Sequence, residues 1–355
     1  DVRLFTTEEN PAGTETSPFP VIRSIYKRNP IVLLSFLRTL YREYREADLI
    51  NCIYSYKIAA IVGIFKLFIK KPMVVTLEGL GTLDMPGNSW FYAKVLSFYR
   101  WFSIRQADMN IAACLEFVDI AKRYTSADKV VYIPNALDVD QFNVSPKETS
   151  LLPDIAKGKK IVATIRRLVP KNGIQFLIEA APFILEKFDN ILFFIIGWGR
   201  MEDYLKERVR ALKIESHVYF AGRIENEDLP KYLNLADVVV FPSTAEATSI
   251  ACLESMALGK PIIASNVGGY PEMVQNDYNG YLVDLTDNTN SNYDAPMILE
   301  ENKLRALADT IVSTLNNDIK LKELGKNSRH LAETKFSWKE KIKDIEKIYE
   351  EISRN

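Results

Sequence analysis

Two glutamates eight residues apart, Glu246 and Glu254, lie in the segment Pro242–Met256 (PSTAEATSIACLESM). The apolar run DVVVF before this segment predicts a strand, and a helix is predicted to begin near Ile250. Open α/β sheets bind ligands beyond the carboxyl ends of their strands, where both carboxylates can face a pocket. Carboxylates in that position can accept hydrogen bonds from hydroxyl groups.

The start of the predicted helix offers an anion site. The main-chain N–H groups of Thr248, Ser249 and Ile250 would be unpaired first-turn donors, and the helix dipole would add to their attraction for a phosphate. Hydroxyl-binding carboxylates beside a phosphate site suit a nucleotide sugar. A loop acid and a solvated helical glutamate would give the same spacing, so the two acids alone leave both interpretations open.

Cations follow a second predicted strand, in the segment Thr164–Gly173 (TIRRLVPKNG). Arg166, Arg167 and Lys171 would lie at the carboxyl end of that strand, where positive charge suits a pyrophosphate. An ordinary basic surface loop has the same composition.

Glycine-containing turns follow two more predicted strands, at 197–199 and 222–224. Glycine permits close approach of the backbone to a ligand. The sequence GWGRME is a poor dinucleotide fingerprint, because Glu202 stands where the third glycine is required. Taken alone, each turn indicates only a tight change of direction.

Short apolar strands that alternate with helices would position these residues. Runs such as IVATI and ILFFIIG are typical of parallel strands covered by helices on both faces. The length of 355 residues favours two domains. The Pro-, Gly- and Ser-containing segment Val144–Lys159 predicts the boundary, which gives domains at 1–150 and 151–335 and a terminal amphipathic helix within 336–355.

Composition excludes several classes of protein. The formal net charge of −1 gives no footprint for nucleic acid. Three scattered cysteines and two histidines argue against a disulfide framework, a zinc site or a histidine triad and fit a reducing cytoplasm. The longest apolar runs have about eight residues, well short of a membrane span.

Together, the motifs at the four strand ends resemble those of the family 4 retaining glycosyltransferases. The GT-B fold of that family has two Rossmann-like parallel-sheet domains that face each other across a cleft. The likeness covers nearly the whole chain and is most specific in the second domain. Glu246 and Glu254 resemble the family's E-x7-E pair, and Arg167 resembles its phosphate-binding arginine. The resemblance implies catalytic roles for Glu246, Arg167 and Lys171, with no metal and no cofactor. It also implies a set of donor-binding residues: Glu254, Gly197, Gly199, Gly222, Arg223, Ile224, Thr248, Ser249 and Ile250.

The chain departs from the family pattern at several positions. The usual phosphate lysine aligns with Asn172, so its charge would pass to Lys171 or to the two arginines. Glu78 follows a predicted strand where the family often has histidine, and Asn135 lies in PNALD, which resembles the hinge segment P-N-G-V-D. Both are acceptor-side candidates. The family's first strand and its glycine-rich loop are expected to precede Asp1.

A basic, aromatic-rich stretch runs from Arg23 to Arg105, with 13 lysines and arginines against five acidic residues. Helices of this composition suit the surface of an anionic membrane. Ordinary helices that face the core with one side and expose their lysines and arginines to water would have the same composition. The expected localisation is therefore cytoplasmic, at or near the inner face of a membrane.

The expected function is hexose transfer, with retention, from a nucleotide sugar such as a UDP-sugar to a lipid-linked or polysaccharide acceptor. Two alternatives stay open: a sugar-nucleotide epimerase of the same fold, and a non-catalytic relative that binds the donor or the membrane.

Overall fold

The computed structural model describes residues 4–6, 21–23, 30–53, 56–78, 90–143, 146–286 and 296–354. The first domain contains β1 (Leu4–Thr6), β2 (Val21–Arg23), α1 (Pro30–Glu46), β3 (Ile50–Ile53), α2 (Tyr56–Phe68), β4 (Met73–Leu77), α3 (Trp90–Gln106), β5 (Met109–Ala112), α4 (Leu115–Lys122) and β6 (Val130–Tyr132). Strands β3 to β6 form a four-stranded parallel sheet in chain order, and β1 pairs with β2 apart from it. The sequence predicts a strand at Val2–Thr6, and β1 lies within that range, whereas β2 was not predicted.

The second domain is a six-stranded parallel sheet in the order β12-β11-β10-β7-β8-β9. Its elements are β7 (Lys160–Ile165), α5 (Ile174–Leu185), β8 (Ile191–Ile196), α6 (Glu202–Ala211), β9 (Val218–Gly222), α7 (Leu229–Asn234), β10 (Val238–Phe241), α8 (Ile250–Ala257), β11 (Ile262–Ser265), α9 (Tyr270–Met273), β12 (Gly280–Val283), α10 (Glu301–Leu315) and α11 (Asp318–Lys335). All six side chains of β8 are buried, as its uniformly apolar sequence predicts.

Alternate residues of the central strand β7 enter two separate cores. Val162 packs on the face that α5 and α10 cover, and Ile161 and Ala163 pack on the face that α8 covers. The carboxyl ends of all these strands are left at one edge of the sheet, which is the edge that carries the predicted site.

Two segments connect the domains. Leu137 N donates to Phe336 O at 3.0 Å, and Trp338 N donates to Leu137 O at 3.1 Å, so the two crossing segments are bonded to each other. Leu137 and Val139 already pack in the core of the second domain. Contact with that domain therefore begins before residue 151.

The last helix, α12 (Trp338–Ser353), packs on the first domain. Its residue Ile348 is buried in a cluster with Val74, Ile111 and Ile133 from the sheet. The Tyr349 hydroxyl accepts a hydrogen bond from Asn51 Nδ2 at 2.8 Å. The helix thus covers the second face of the four-stranded sheet. None of the helices within the described residues is both long and apolar enough to cross a membrane.

Candidate functional site

The carboxyl edge of the second sheet brings most of the predicted residues together. Strand β7 pairs with β8 on one side and β10 on the other, and β9 lies beyond β8. The segments that follow Ile165, Ile196 and Phe241 are therefore neighbours. They carry the arginines, the first glycine turn and the two glutamates.

Helix α8 begins at Ile250 in the middle of this edge, with Ser249 as its N-cap. Ser249 Oγ accepts from Cys252 N at 3.4 Å and also from Arg166 Nη1 at 3.0 Å. Thr248 and Ser249 are buried, whereas Ile250 is exposed. The helix N-terminus and a guanidinium therefore lie side by side, which makes the region favourable for an anion.

Arg166, rather than its neighbour Arg167, occupies the centre of the site. Its guanidinium forms an ion pair with Glu246, and only 11% of the Arg166 side chain and 19% of the Glu246 side chain are exposed. Arg167 is exposed, and its side chain has no hydrogen bond or ion pair with the residues of the described ranges. The resemblance assigns the phosphate-binding role to Arg167, but spacing alone does not show which of two adjacent arginines points inward, because the path of the turn after β7 decides it.

The first glycine turn sets that path. Leu168 N donates to Trp198 O at 2.9 Å, and Arg166 N donates to Ile196 O at 3.1 Å. Gly197 has a φ of +138°, and a Cβ on it would lie 1.9 Å from Arg166 O. Glycine is required at this position because the backbone of Arg166 passes directly over it.

Glu254 lies one turn into α8 and is largely buried. Burial raises the pKa of its carboxyl to about 7. Its carboxyl has no hydrogen bond or salt bridge with the parts of the chain that the structure describes. A largely buried carboxyl with no partner among the described residues can accept hydrogen bonds from the hydroxyl groups of a ligand.

The remaining donor-side candidates lie at the border of the cluster formed by Arg166, Glu246 and the N-terminus of α8. The Arg223 side chain is exposed and pairs with Glu225, with Nε and Oε1 3.2 Å apart. Ile224 packs against the core on the α8 face. Lys171 O accepts from Thr244 N at 2.8 Å, so its backbone supports the loop before α8. The roles of Gly199, Gly222 and these residues stay predictions.

The two acceptor-side candidates lie where the domains meet. Thr248 Oγ1 donates to the carbonyl of Ala113, directly after β5, and Asn135 Nδ2 donates to Thr248 O at 3.4 Å. Asn135 therefore contacts the donor-side loop. Glu78 follows β4, and Ala113 N donates to the carbonyl of the preceding Leu77 at 3.0 Å. Glu78 is thus at the edge of the first sheet that faces the second domain.

Three further features were missed in the sequence. Gly268 and Gly269 approach the backbone of Glu246 and Ala247, and their adjacency directly after a strand was a usable signal. Glu272 Oε1 accepts from Leu115 N at 2.8 Å and so caps α4 of the other domain. No local pattern could have indicated that contact, because its partners are 157 residues apart in sequence.

Solved structures with the same architecture show which fold the chain adopts. Sucrose-phosphate synthase from Thermosynechococcus elongatus superposes with a TM-score of 0.80 at 22% identity, over 99% of this chain and 88% of that one. HepE from Anabaena in complex with UDP gives a TM-score of 0.75 at 21% identity, over 95% and 87%. These likenesses confirm the predicted GT-B fold.

Residues 1–141 match the family described as Glycosyltransferase Family 4, and residues 152–306 match Glycosyl transferases group 1. The chain belongs to the family 4 glycosyltransferases, as its motifs predict. It is 32% identical over 173 residues to the GDP-mannose-dependent alpha-(1-6)-phosphatidylinositol monomannoside mannosyltransferase of Mycobacterium tuberculosis, over 46% of this chain and 45% of that protein. Several curated relatives are matched over only about half of their length.

Proposed function

We propose that the protein transfers a hexose from a UDP-sugar to a lipid-linked or polysaccharide acceptor, with retention at the anomeric carbon. One observation carries the proposal: the largely buried ion pair of Arg166 and Glu246 lies beside the N-terminus of α8, and Glu254, which has no side-chain partner among the described residues, lies one turn into that helix. Positive groups for a diphosphate and carboxylates for sugar hydroxyls are what a nucleotide-sugar site needs.

The second domain would hold the donor and the first domain the acceptor. Glu254 would accept hydrogen bonds from the ribose hydroxyls, and Glu246 would contact the donor sugar. Charge that develops on the departing diphosphate would be stabilised by the arginines, Lys171 and the N-terminus of α8, without a metal. The UDP bound in HepE supports a uridine donor, and the mannosyltransferase from M. tuberculosis makes GDP-mannose the alternative to test.

The direct test is incubation with UDP-glucose, UDP-galactose, UDP-N-acetylglucosamine or GDP-mannose, with and without membrane lipid extract. We expect a glycosylated product from one donor, with the α-linkage of the donor preserved in its NMR spectrum and with unchanged turnover in EDTA. A new sugar nucleotide formed from the donor alone would instead indicate an epimerase. Binding without turnover on any acceptor would indicate a non-catalytic relative.

A surface on helices α1 to α3 supports a membrane-proximal acceptor. We call it the helical surface. It combines large exposed apolar side chains with exposed cations, which are Leu34, Tyr41, Ile64, Leu67, Phe68, Phe98 and Trp101 together with Arg38, Arg42, Arg45, Lys57, Lys70, Lys94 and Arg105. Such a surface suits partial insertion among anionic headgroups. The similarity to the phosphatidylinositol monomannoside mannosyltransferase of M. tuberculosis adds to this support.

The helical surface gives a prediction for membrane binding. Phe68 is 83% exposed near the end of α2, and Ile319 is 82% exposed on the second domain, which makes the two a matched pair. In co-sedimentation with phosphatidylglycerol vesicles, most of the Phe68→Glu variant should stay in the supernatant. The substitution weakens binding because it places a negative charge among lipid chains and is repelled by the anionic headgroups. Ile319→Glu should sediment like the parent.

Salt should also release the parent protein, since each cation near the surface contributes about 1 kcal/mol and exposed charges are screened over roughly 8–10 Å. Equal sedimentation of both variants, or a parent that stays in solution at low salt, would contradict docking through the helical surface and would favour a soluble acceptor.

A further inference from the structure

Three neutral acceptors hold the Arg166 guanidinium in place. Nη1 donates to Ser249 Oγ at 3.0 Å, and Nη2 donates to Ser243 Oγ at 3.1 Å and to Asn172 Oδ1 at 3.2 Å. All three partners are at least nine-tenths buried. Asn172 is itself oriented, because its Nδ2 donates to Arg167 O at 2.7 Å. The cation is therefore fixed by the frame of the domain and does not depend on Glu246 for its position.

Glu246, in contrast, is held by one side-chain contact. It lies on the loop between β10 and α8, and within the described part of the chain Arg166 is the only partner of its side chain. The pair thus has one fixed member and one that a loop torsion can move. An anion that enters the site meets a guanidinium whose single charged partner can be displaced.

The N-terminus of α8 directs such an anion to the same place. Ser249 Oγ accepts from both Arg166 Nη1 and Cys252 N, so the guanidinium and the first turn of the helix adjoin one side chain. Arg166 Nε is also buried, without a hydrogen-bond partner in the ranges described. A diphosphate has enough oxygens to meet both the guanidinium and the helix N–H groups.

We propose that Arg166 binds the donor diphosphate, and that the phosphates displace Glu246 from the guanidinium and so release its carboxylate to the donor sugar. The inference rests on the nucleotide-sugar transfer proposed above and adds a residue and an order of events to it. In the empty site Glu246 neutralises Arg166; in the donor complex the diphosphate does. Arg166 would thus supply the charge that the chain lacks at Asn172.

This exchange has an unusual consequence for Glu246. A carboxylate that competes with the diphosphate for one cation weakens nucleotide binding. Glu246→Gln removes the competing charge and keeps the shape, so it should bind UDP at least tenfold more tightly than the parent while it loses sugar transfer. A glutamate that only supports the donor would give weaker or unchanged UDP binding.

The experiment is calorimetric titration of the parent and its variants with UDP, UMP and uridine, and with GDP if UDP does not bind. Arg166→Ala should lower UDP affinity at least tenfold and leave uridine affinity unchanged. Arg167→Ala, the neighbouring cation, should show the smaller loss. The UDP affinity of Arg166→Lys should lie between those of the parent and Arg166→Ala. An ammonium keeps the charge but cannot donate to the three acceptors with the planar geometry of a guanidinium.

Because Arg166→Ala removes a buried anchor, circular dichroism must show that it is folded. If it is not, Arg166→Lys and Glu246→Gln carry the test. A parent that binds UDP or GDP, with Glu246→Gln binding it no more tightly, would overturn the displacement and leave the proposed function intact. A larger loss of UDP affinity for Arg167→Ala than for Arg166→Ala would overturn the assignment of Arg166 as the diphosphate-binding residue. A parent that binds neither nucleotide would overturn both the inference and the proposed function.

Discussion

Replacing Gly268 with alanine should slow sugar transfer on the order of a hundredfold and destabilise the second domain by roughly 2–4 kcal/mol. Gly268 has a φ of +53°, and a Cβ on it would lie 1.7 Å from the carbonyl oxygen of Glu246. The loop that carries Glu246 must then move. A displacement of about 1 Å in a catalytic group can cost on the order of a hundredfold in rate.

Gly158→Ala is the matched control. Gly158 has a φ of +73°, but nothing lies within 4 Å of the Cβ that it would gain. Both alanines incur the left-handed backbone cost of about 1–2 kcal/mol, and only the one at Gly268 meets a carbonyl. Denaturant midpoints and turnover numbers for the two variants separate these effects. Equal losses of stability in the two variants would show that the close approach of Gly268 to the Glu246 carbonyl does not affect the free energy of unfolding.

Glu254→Gln should make the protein more stable at pH 8 by an amount on the order of 3 kcal/mol, while it weakens nucleotide binding. The carboxyl has a pKa of about 7 in the folded protein, whereas the ordinary pKa of a glutamate is 4.5. Between these values the unfolded chain has released the proton and the folded protein still holds it. Stability therefore falls as the pH rises through this window, and the whole cost is present above about pH 7.

The glutamine variant carries no such cost, because its amide stays neutral. Thermal unfolding at pH 4.5 and pH 8 should show a gain for Glu254→Gln only at pH 8. Glu186→Gln changes an exposed glutamate of the same domain and should give the same difference from the parent at both pH values. If Glu254→Gln were less stable than the parent at pH 8, the buried carboxylate would not be the costly group that its environment indicates.

Most of the fold could be predicted from the sequence because hydrophobic patterns are local. The sequence predicts strands at Ile191–Ile196 and Met73–Leu77 and a helix at Trp90–Gln106, and β8, β4 and α3 have these bounds. The elements that were missed, β2 and α9, have three and four residues, too few for a periodic pattern to develop.

The site was harder to predict, because contacts between distant segments decide it. As predicted, Glu246 lies on the loop before α8 and Glu254 lies one turn into the helix, and their roles stay predictions. The partner of Glu246 depends on hydrogen bonds between the segment after β7 and the turn after β8, and these fix which arginine points inward. Sequence spacing carries no information about such a turn.

The packing of α12 on the first domain has a consequence for biosynthesis. Val74, Ile111 and Ile133 are covered by residues that the ribosome makes after the entire second domain, and the bond between Asn51 and Tyr349 joins positions 298 residues apart. One apolar face of the first domain's sheet therefore stays uncovered until α12 has been synthesised. The second domain can fold before that, because its strands and their covering helices all lie between residues 160 and 335. The order of folding should reverse the order of synthesis. The nascent first domain is then the stage at which a chaperone would be needed.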